Sequence, residues 1–101
     1  MVTLQNIRDI ASESDQAVAL DKLQAVIDQL SLDMNSNTSG EALLAAAYAE
    51  KGKILWRAGD KAGAISAYEA SAQEDPDGPG ALLLEHSRGI MDFFDPNQLN
   101  P

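Results

Sequence analysis

No cysteine occurs in this 101-residue chain, so a disulfide framework and a thiolate metal site are both excluded. A single histidine leaves no imidazole cluster for zinc, and any metal would have to be held by carboxylates alone. Basic side chains are few, 7 against 16 acidic, for a formal charge of −9. Neutralising phosphates takes arrays of Lys and Arg, so neither nucleic acid nor an anionic membrane surface is an expected partner. Long apolar runs are missing too: the longest stretch without a charge or turn residue, 42–49, is under half of the ~20 residues that span a bilayer. The first ten residues mix Leu4 and Ile7 with Gln5, Asn6, Arg8 and Asp9, without the basic head and apolar centre of a secretory signal, and a cytoplasmic location is expected. What is present is 45% apolar residues. A chain of this length carrying them forms one domain with one core, too small for a second lobe around a deep active site.

The apolar residues recur at helical spacing. Leu4, Ile7, Ile10 and Ala11 place a short helix over residues 4–13. Ser14 is the expected cap of a second helix over 15–30, whose stripe is Ala19, Leu20, Leu23, Val26, Ile27 and Leu30. Residues 31–40, rich in Asn, Ser and Thr and ending at Gly40, read as the longest loop, because short polar side chains compete for backbone hydrogen bonds. An alanine-rich helix over 41–58 aligns Leu44, Tyr48, Gly52 and Leu55, and Gly59 is its expected left-handed cap. Asp60 opens a fourth helix with Ala64, Ile65, Tyr68 and Ala72 on one face, stopped by Asp75, Pro76, Asp77 and Gly78. Pro79 suits the first turn of a fifth, which ends before Pro96 and presents Leu82, Leu83, His86, Ile90, Phe93 and Phe94. No four-residue alternation of apolar and polar residues marks a strand. The expectation is an all-α fold of five helices.

The second helix overlays the fourth at an offset of 45: Asp15 on Asp60, Ala17 on Ala62, Ala19 on Ala64, Leu20 on Ile65, Leu23 on Tyr68 and Ala25 on Ala70. The repeated unit is therefore a pair of antiparallel helices. Over 45–78, Tyr48, Gly52, Leu55, Gly59, Ala64, Tyr68 and Pro76 follow one another at fixed spacings. On these residues the segment resembles a tetratricopeptide repeat, a pattern of about 34 residues with an aromatic, a close-packing Gly, a turn Gly, an Ala, a second aromatic and a Pro. Lys51 stands where the family has Leu, which predicts one more exposed edge, and Ser71 where it has Ala. The first copy, 1–31, is degenerate, with Thr3 at the aromatic position, Ile7 at the glycine and Ser31 at the proline. The resemblance thus implies one domain over 1–94: a first repeat over 1–31, a loop over 32–40, a second repeat over 41–78, and a capping helix over 79–94 followed by a tail over 95–101. The whole also resembles small single-domain bacterial proteins of this family that end in an aromatic pair and a short Asn-containing tail, here Phe93, Phe94, Asn97, Leu99 and Asn100. The tail is either disordered or folded back through Leu99 on Phe93 and Phe94.

The resemblance implies a concave groove, lined by the first helix of each pair, that holds an extended peptide. Carried onto this chain it takes in Leu4, Arg8 and Ala11, then Ala49, Lys53, Trp56 and Arg57, then Leu83, Ser87 and Ile90 from the last helix. The spacing independently places Lys53, Trp56 and Arg57, at i, i+3 and i+4, on one face. Two readings of that cluster stand side by side. In one, it binds an acidic or C-terminal carboxylate segment of an unidentified protein or peptide, with Arg8, Lys53 and Arg57 as charge partners and Trp56 as an apolar or cation–π anchor. In the other, Trp56 packs on the first helix pair and the bases solubilise an alanine-rich helix. The carboxylate-clamp members of the family carry Lys and Asn where this chain has Ala49 and Glu50, which argues against a chaperone-tail clamp.

Catalytic chemistry finds little footing. His86 shares a stripe with Leu82 and Phe93 and reads as a core or partly buried histidine. No serine sits in a Gly-x-Ser-x-Gly turn, and no Gly-rich phosphate loop follows a strand, so neither an enzyme nor a cofactor is expected. Glu74, Asp75 and Asp77 lack the EF-hand spacing and read as solvated charge. About three such repeats are usually needed for stability. With two and a capping helix, the chain is expected to be either a monomer closed by its last helix or a weak homodimer that uses the same apolar surface for self-association.

Overall fold

The computed structural model describes residues 3–33 and 40–93, the side chains at 33, 40 and 90–93 excepted. It is all-α: α1 Leu4–Ala11, α2 Gln16–Asp33, α3 Gly40–Arg57, α4 Lys61–Glu74 and α5 Pro79–Phe93, with no strand among the described residues. None of these helices is long and apolar enough to cross a membrane.

Local chemistry sets most of the boundaries. Thr3 and Asn6 exchange hydrogen bonds at the start of α1: the Thr3 hydroxyl accepts from the Asn6 N–H at 3.2 Å, and the Asn6 carbonyl Oδ1 accepts from the Thr3 N–H at 3.0 Å. The helix stops at Ala11, two residues before the expected Glu13, because the Ser12 hydroxyl donates to the Asp9 carbonyl at 2.8 Å and competes with a further turn. The expected cap of α2, Ser14, is replaced by Asp15, whose Oδ1 accepts from the N–H groups of Ala17 and Val18 at 3.0 and 3.3 Å. A carboxylate there also meets the positive end of the helix dipole. At its other end α2 runs on to Asp33, and Gly40 already belongs to α3, so the expected loop over 31–40 is helical at both margins. Its central residues 34–39 lie outside the described residues.

The stripe read for α2 is the one the fold buries: Ala19, Leu23, Ile27 and Leu30 are buried, Leu20 and Val26 half-buried. They meet Ile7 of α1 and Leu44, Ala47 and Ile54 of α3 in one core cluster. Helix α3 is the hub, packed against α1, α2, α4 and α5. That is why it is alanine-rich: Ala45, Ala47 and Ala49 are all at most 1% exposed, and small side chains let four neighbours approach one helix. Lys51, at the position predicted to be more exposed, is half-buried and donates through Nζ to Gln24 Oε1 at 2.8 Å, tying α3 to α2.

Gly59 closes α3 at φ +94°. Its N–H donates to the Trp56 carbonyl and that of Asp60 to the Leu55 carbonyl, the paired bonds of a Schellman turn. Asp60 then caps α4, its Oδ1 accepting from the Gly63 N–H at 2.9 Å. Tyr68 of α4 lies with its ring edge against Gly52, and Ser71 of α4, fully buried, donates its hydroxyl to the Ala45 carbonyl at 2.6 Å.

In the last helix the structure corrects the expected face. Gly80 and Ser87 are buried, Leu83 and Leu84 half-buried, while Leu82 is 69% exposed and His86 is exposed. The cause is the close approach of α5 to α4 at Gly80, where no side chain separates the backbone from Ser71. Small residues, not the largest apolar ones, therefore face inward. The expected contributions of Ile90, Phe93 and Phe94 and of the tail over 95–101 lie outside the described residues. Asp75 works as a turn residue rather than as free charge: its Oδ1 accepts from the Asp77 N–H at 3.2 Å and its carbonyl from the Gly78 N–H at 3.0 Å. Besides packing on its sequence neighbour, each odd-numbered helix packs on the next odd one, α1 on α3 and α3 on α5, whereas α2 and α4 do not pack on one another.

Candidate functional site

One face of α3 carries Ala42, Ala46, Ala49, Lys53 and Trp56, spaced by three or four residues, with Arg57 beside Trp56 and four after Lys53. Because α1 and α5 both pack on α3, this face forms the floor of a groove with two hollows. The first, about 450 Å³, lies toward the C-terminal end of α3, between Arg8, Ala11 and Ser12 of α1 and Glu50, Lys53, Trp56 and Arg57 of α3, with Tyr68 of α4 beneath. The second, about 470 Å³, lies toward the N-terminal end. Leu4 and Ile7 wall it on one side and Pro79 and Asp75 on the other, over a floor of Ala42, Ala46 and Ala49. Arg8, Glu50 and Lys53 line both hollows, so they form the divide between them.

Five of the residues mapped to the groove, Arg8, Ala11, Lys53, Trp56 and Arg57, thus meet in one hollow. Ala49, only 1% exposed, contributes its methyl to the floor of the other. Leu83 is half-buried on α5 and lines neither. Ser87, mapped to the groove by the resemblance, is buried instead, and the Ile90 side chain lies outside the described residues.

The electrostatics of the first hollow oppose those of the chain as a whole. Lys53 Nζ pairs with Glu50 Oε1 at 3.1 Å. Among the described residues neither Arg8 nor Arg57 has an ion-pair partner. Three cations therefore stand against one carboxylate in a protein of charge −9. A fourth, Lys61 from the start of α4, places Nζ 4.1 Å from the centroid of the Trp56 ring, so one face of the indole is already covered by the protein's own cation. Trp56 is half-exposed, neither sealed into the core nor free in solvent. Tyr68 is 3% exposed, yet it lines the hollow. Burial pushes its phenol pKa above the ordinary value near 10, Glu50 pushes it further, and Arg57 pulls it back.

Glu50, Tyr68 and Lys61 were not among the predicted site residues. Glu50 carries a readable signal, its i, i+3 spacing to Lys53. Lys61 reaches Trp56 only because the turn at Gly59 folds α4 back on α3. No protein-family model, no curated protein and no solved structure matches this chain.

Proposed function

We propose that the chain is a small protein-interaction module that binds an acidic peptide or protein segment in the groove along α3. The observation that carries this reading is the gathering of Arg8, Lys53 and Arg57 around Trp56 in one hollow of a strongly acidic protein, with two of the three cations unpaired among the described residues. Charge-assisted hydrogen bonds from guanidinium to carboxylate are the strong ones, and a half-exposed indole supplies apolar contact area beside them. The likeness to a tetratricopeptide array belongs to the same proposal. It is supported by the succession α1, α3, α5 along the groove and by the seating of Tyr68 on Gly52. On this reading the molecule is a single-domain cytoplasmic binding protein and not an enzyme: its one imidazole, His86, lines neither hollow.

Titration with acidic peptides, followed by the fluorescence of the only tryptophan, tests the site directly. Losing two charge-assisted contacts in a Lys53→Ala, Arg57→Ala double variant should weaken binding by roughly ten- to a hundred-fold. Unchanged affinity in that variant refutes the site. A second reading, self-association, is favoured by one observation, the 69% exposure of Leu82 on α5. Mass measured by light scattering across a concentration series decides it, and a monomer at every concentration removes it.

A further inference from the structure

The two hollows differ in chemistry, and their difference specifies the ligand further, on the peptide-binding reading just given. The hollow at the N-terminal end of α3 is walled by Leu4, Ile7 and Pro79 over alanine methyls, and Asp75 stands at its margin. The hollow at the C-terminal end offers Arg57, Trp56 and Tyr68. Between them lies the divide of Arg8, Glu50 and Lys53. We propose that the groove reads a bipartite extended segment: an apolar side chain seats over Ala42, Ala46 and Ala49, and an acidic residue about five positions away seats between Arg8 and Arg57.

The spacing follows from the helix that forms the floor. Ala46 and Arg57 are 11 residues apart on α3. At a rise of ~1.5 Å per residue the two hollows are about 16 Å apart. An extended chain covers ~3.3 Å per residue, so about five residues bridge them. The polarity follows from charge. A carboxylate placed in the apolar hollow would meet Asp75 and find no unpaired guanidinium beyond Arg8, whereas at the other end Arg8 and Arg57 both line the hollow. Recognition therefore contains a repulsive element as well as attractive ones, which is what fixes the direction of a bound segment.

The test uses end-capped peptides in a Gly/Ser background, so that terminal charges play no part, and reads Trp56 fluorescence. One series carries Leu and Asp separated by two, five or eight positions; a control carries Asp without Leu. The five-position peptide should bind roughly ten-fold or more tightly than every other member, since only it buries the apolar side chain while its carboxylate is engaged. An Ala46→Gln variant, checked for an unchanged helical spectrum, should remove that advantage. If the Asp-only peptide binds as tightly as the five-position peptide, or if spacing has no effect, the bipartite reading is overturned and the acidic-peptide site stands. If none of the peptides binds, the peptide-binding reading itself falls. The spacing series runs on the unmodified protein, so it decides the matter even if the Ala46 variant does not fold.

Discussion

Replacing Gly52 by alanine adds a single methyl at the closest approach of α3 and α4. A Cβ at that position would lie 2.6 Å from Tyr68 Cδ1, closer still to Cε1, and 3.1 Å from the Ala64 carbonyl oxygen. Neither neighbour can give way cheaply: the carbonyl belongs to the backbone of α4, and the tyrosine is 3% exposed. Overpacking of this kind costs ~1–3 kcal/mol, and contacts this short place it in the upper half of that range. Alanine's better helix propensity returns ~1 kcal/mol. The net loss is about 1–2 kcal/mol, a fall in Tm of roughly 5–15 °C for a domain of this length. Gly89 provides the opposite case, because it is exposed within α5 and a Cβ there meets nothing within 4 Å. Gly89→Ala should therefore gain ~0.5–1 kcal/mol, by backbone entropy alone. Far-UV circular dichroism through thermal and urea unfolding measures both. The reasoning is refuted if Gly52→Ala is as stable as the parent, or if the two substitutions shift stability in the same direction.

Two further outcomes follow from buried polar groups on α4. Tyr68 has its pKa raised in the folded protein, first by burial and then by Glu50, so above pH ~10 the unfolded chain gives up the phenol proton first and stability falls as pH rises. In a Tyr48→Phe background, phenolate absorbance should show Tyr68 titrating above its ordinary value, and Glu50→Gln should bring it down; titration at or below the ordinary value contradicts the placement. Ser71→Ala removes the 2.6 Å buried bond to the Ala45 carbonyl and should cost ~0.5–1.5 kcal/mol in urea unfolding, although alanine is the residue the repeat pattern expects there.

The helices were legible because their signals are local. Asp60 before α4, Gly59 after α3 and the 3.6-residue stripe of α2 each depend on a few neighbouring residues, and each appears in the fold as read. The orientation of α5 was not legible, for a physical reason. Its sequence offers two arcs, a more apolar one through Leu82 and His86 and a smaller one through Gly80, Leu84 and Ser87, and hydrophobic spacing favours the first. Which arc faces inward is decided by how closely α5 approaches α4, and Gly80 against Ser71 is a tertiary contact that no period encodes. The site divides in the same way. Lys53, Trp56 and Arg57 share a helix face and could be grouped from spacing, whereas Tyr68 sits at a core position and only the packing of α4 on α3 brings it to the hollow.

At the 45-residue offset, the tyrosine that lines the hollow is matched by an aliphatic residue. Ile7 and Leu23 of the first copy, both 0% exposed in the core cluster, correspond to Gly52 and Tyr68 of the second. In the first copy the bulk is shared between two aliphatic side chains that end in the core. In the second it is moved wholly onto the later helix, where the Tyr68 ring takes the space left at Gly52 and lines the hollow. The walls divide likewise. Arg8 corresponds to Lys53, Ala11 to Trp56 and Ser12 to Arg57, and all six line the same hollow. At the last two of these pairs the first copy supplies small side chains, Ala11 and Ser12, and the second supplies large ones that project across the opening. The hollow lies between small side chains on α1 and large ones on α3, and placing either set on both helices would fill it or leave it without chemistry.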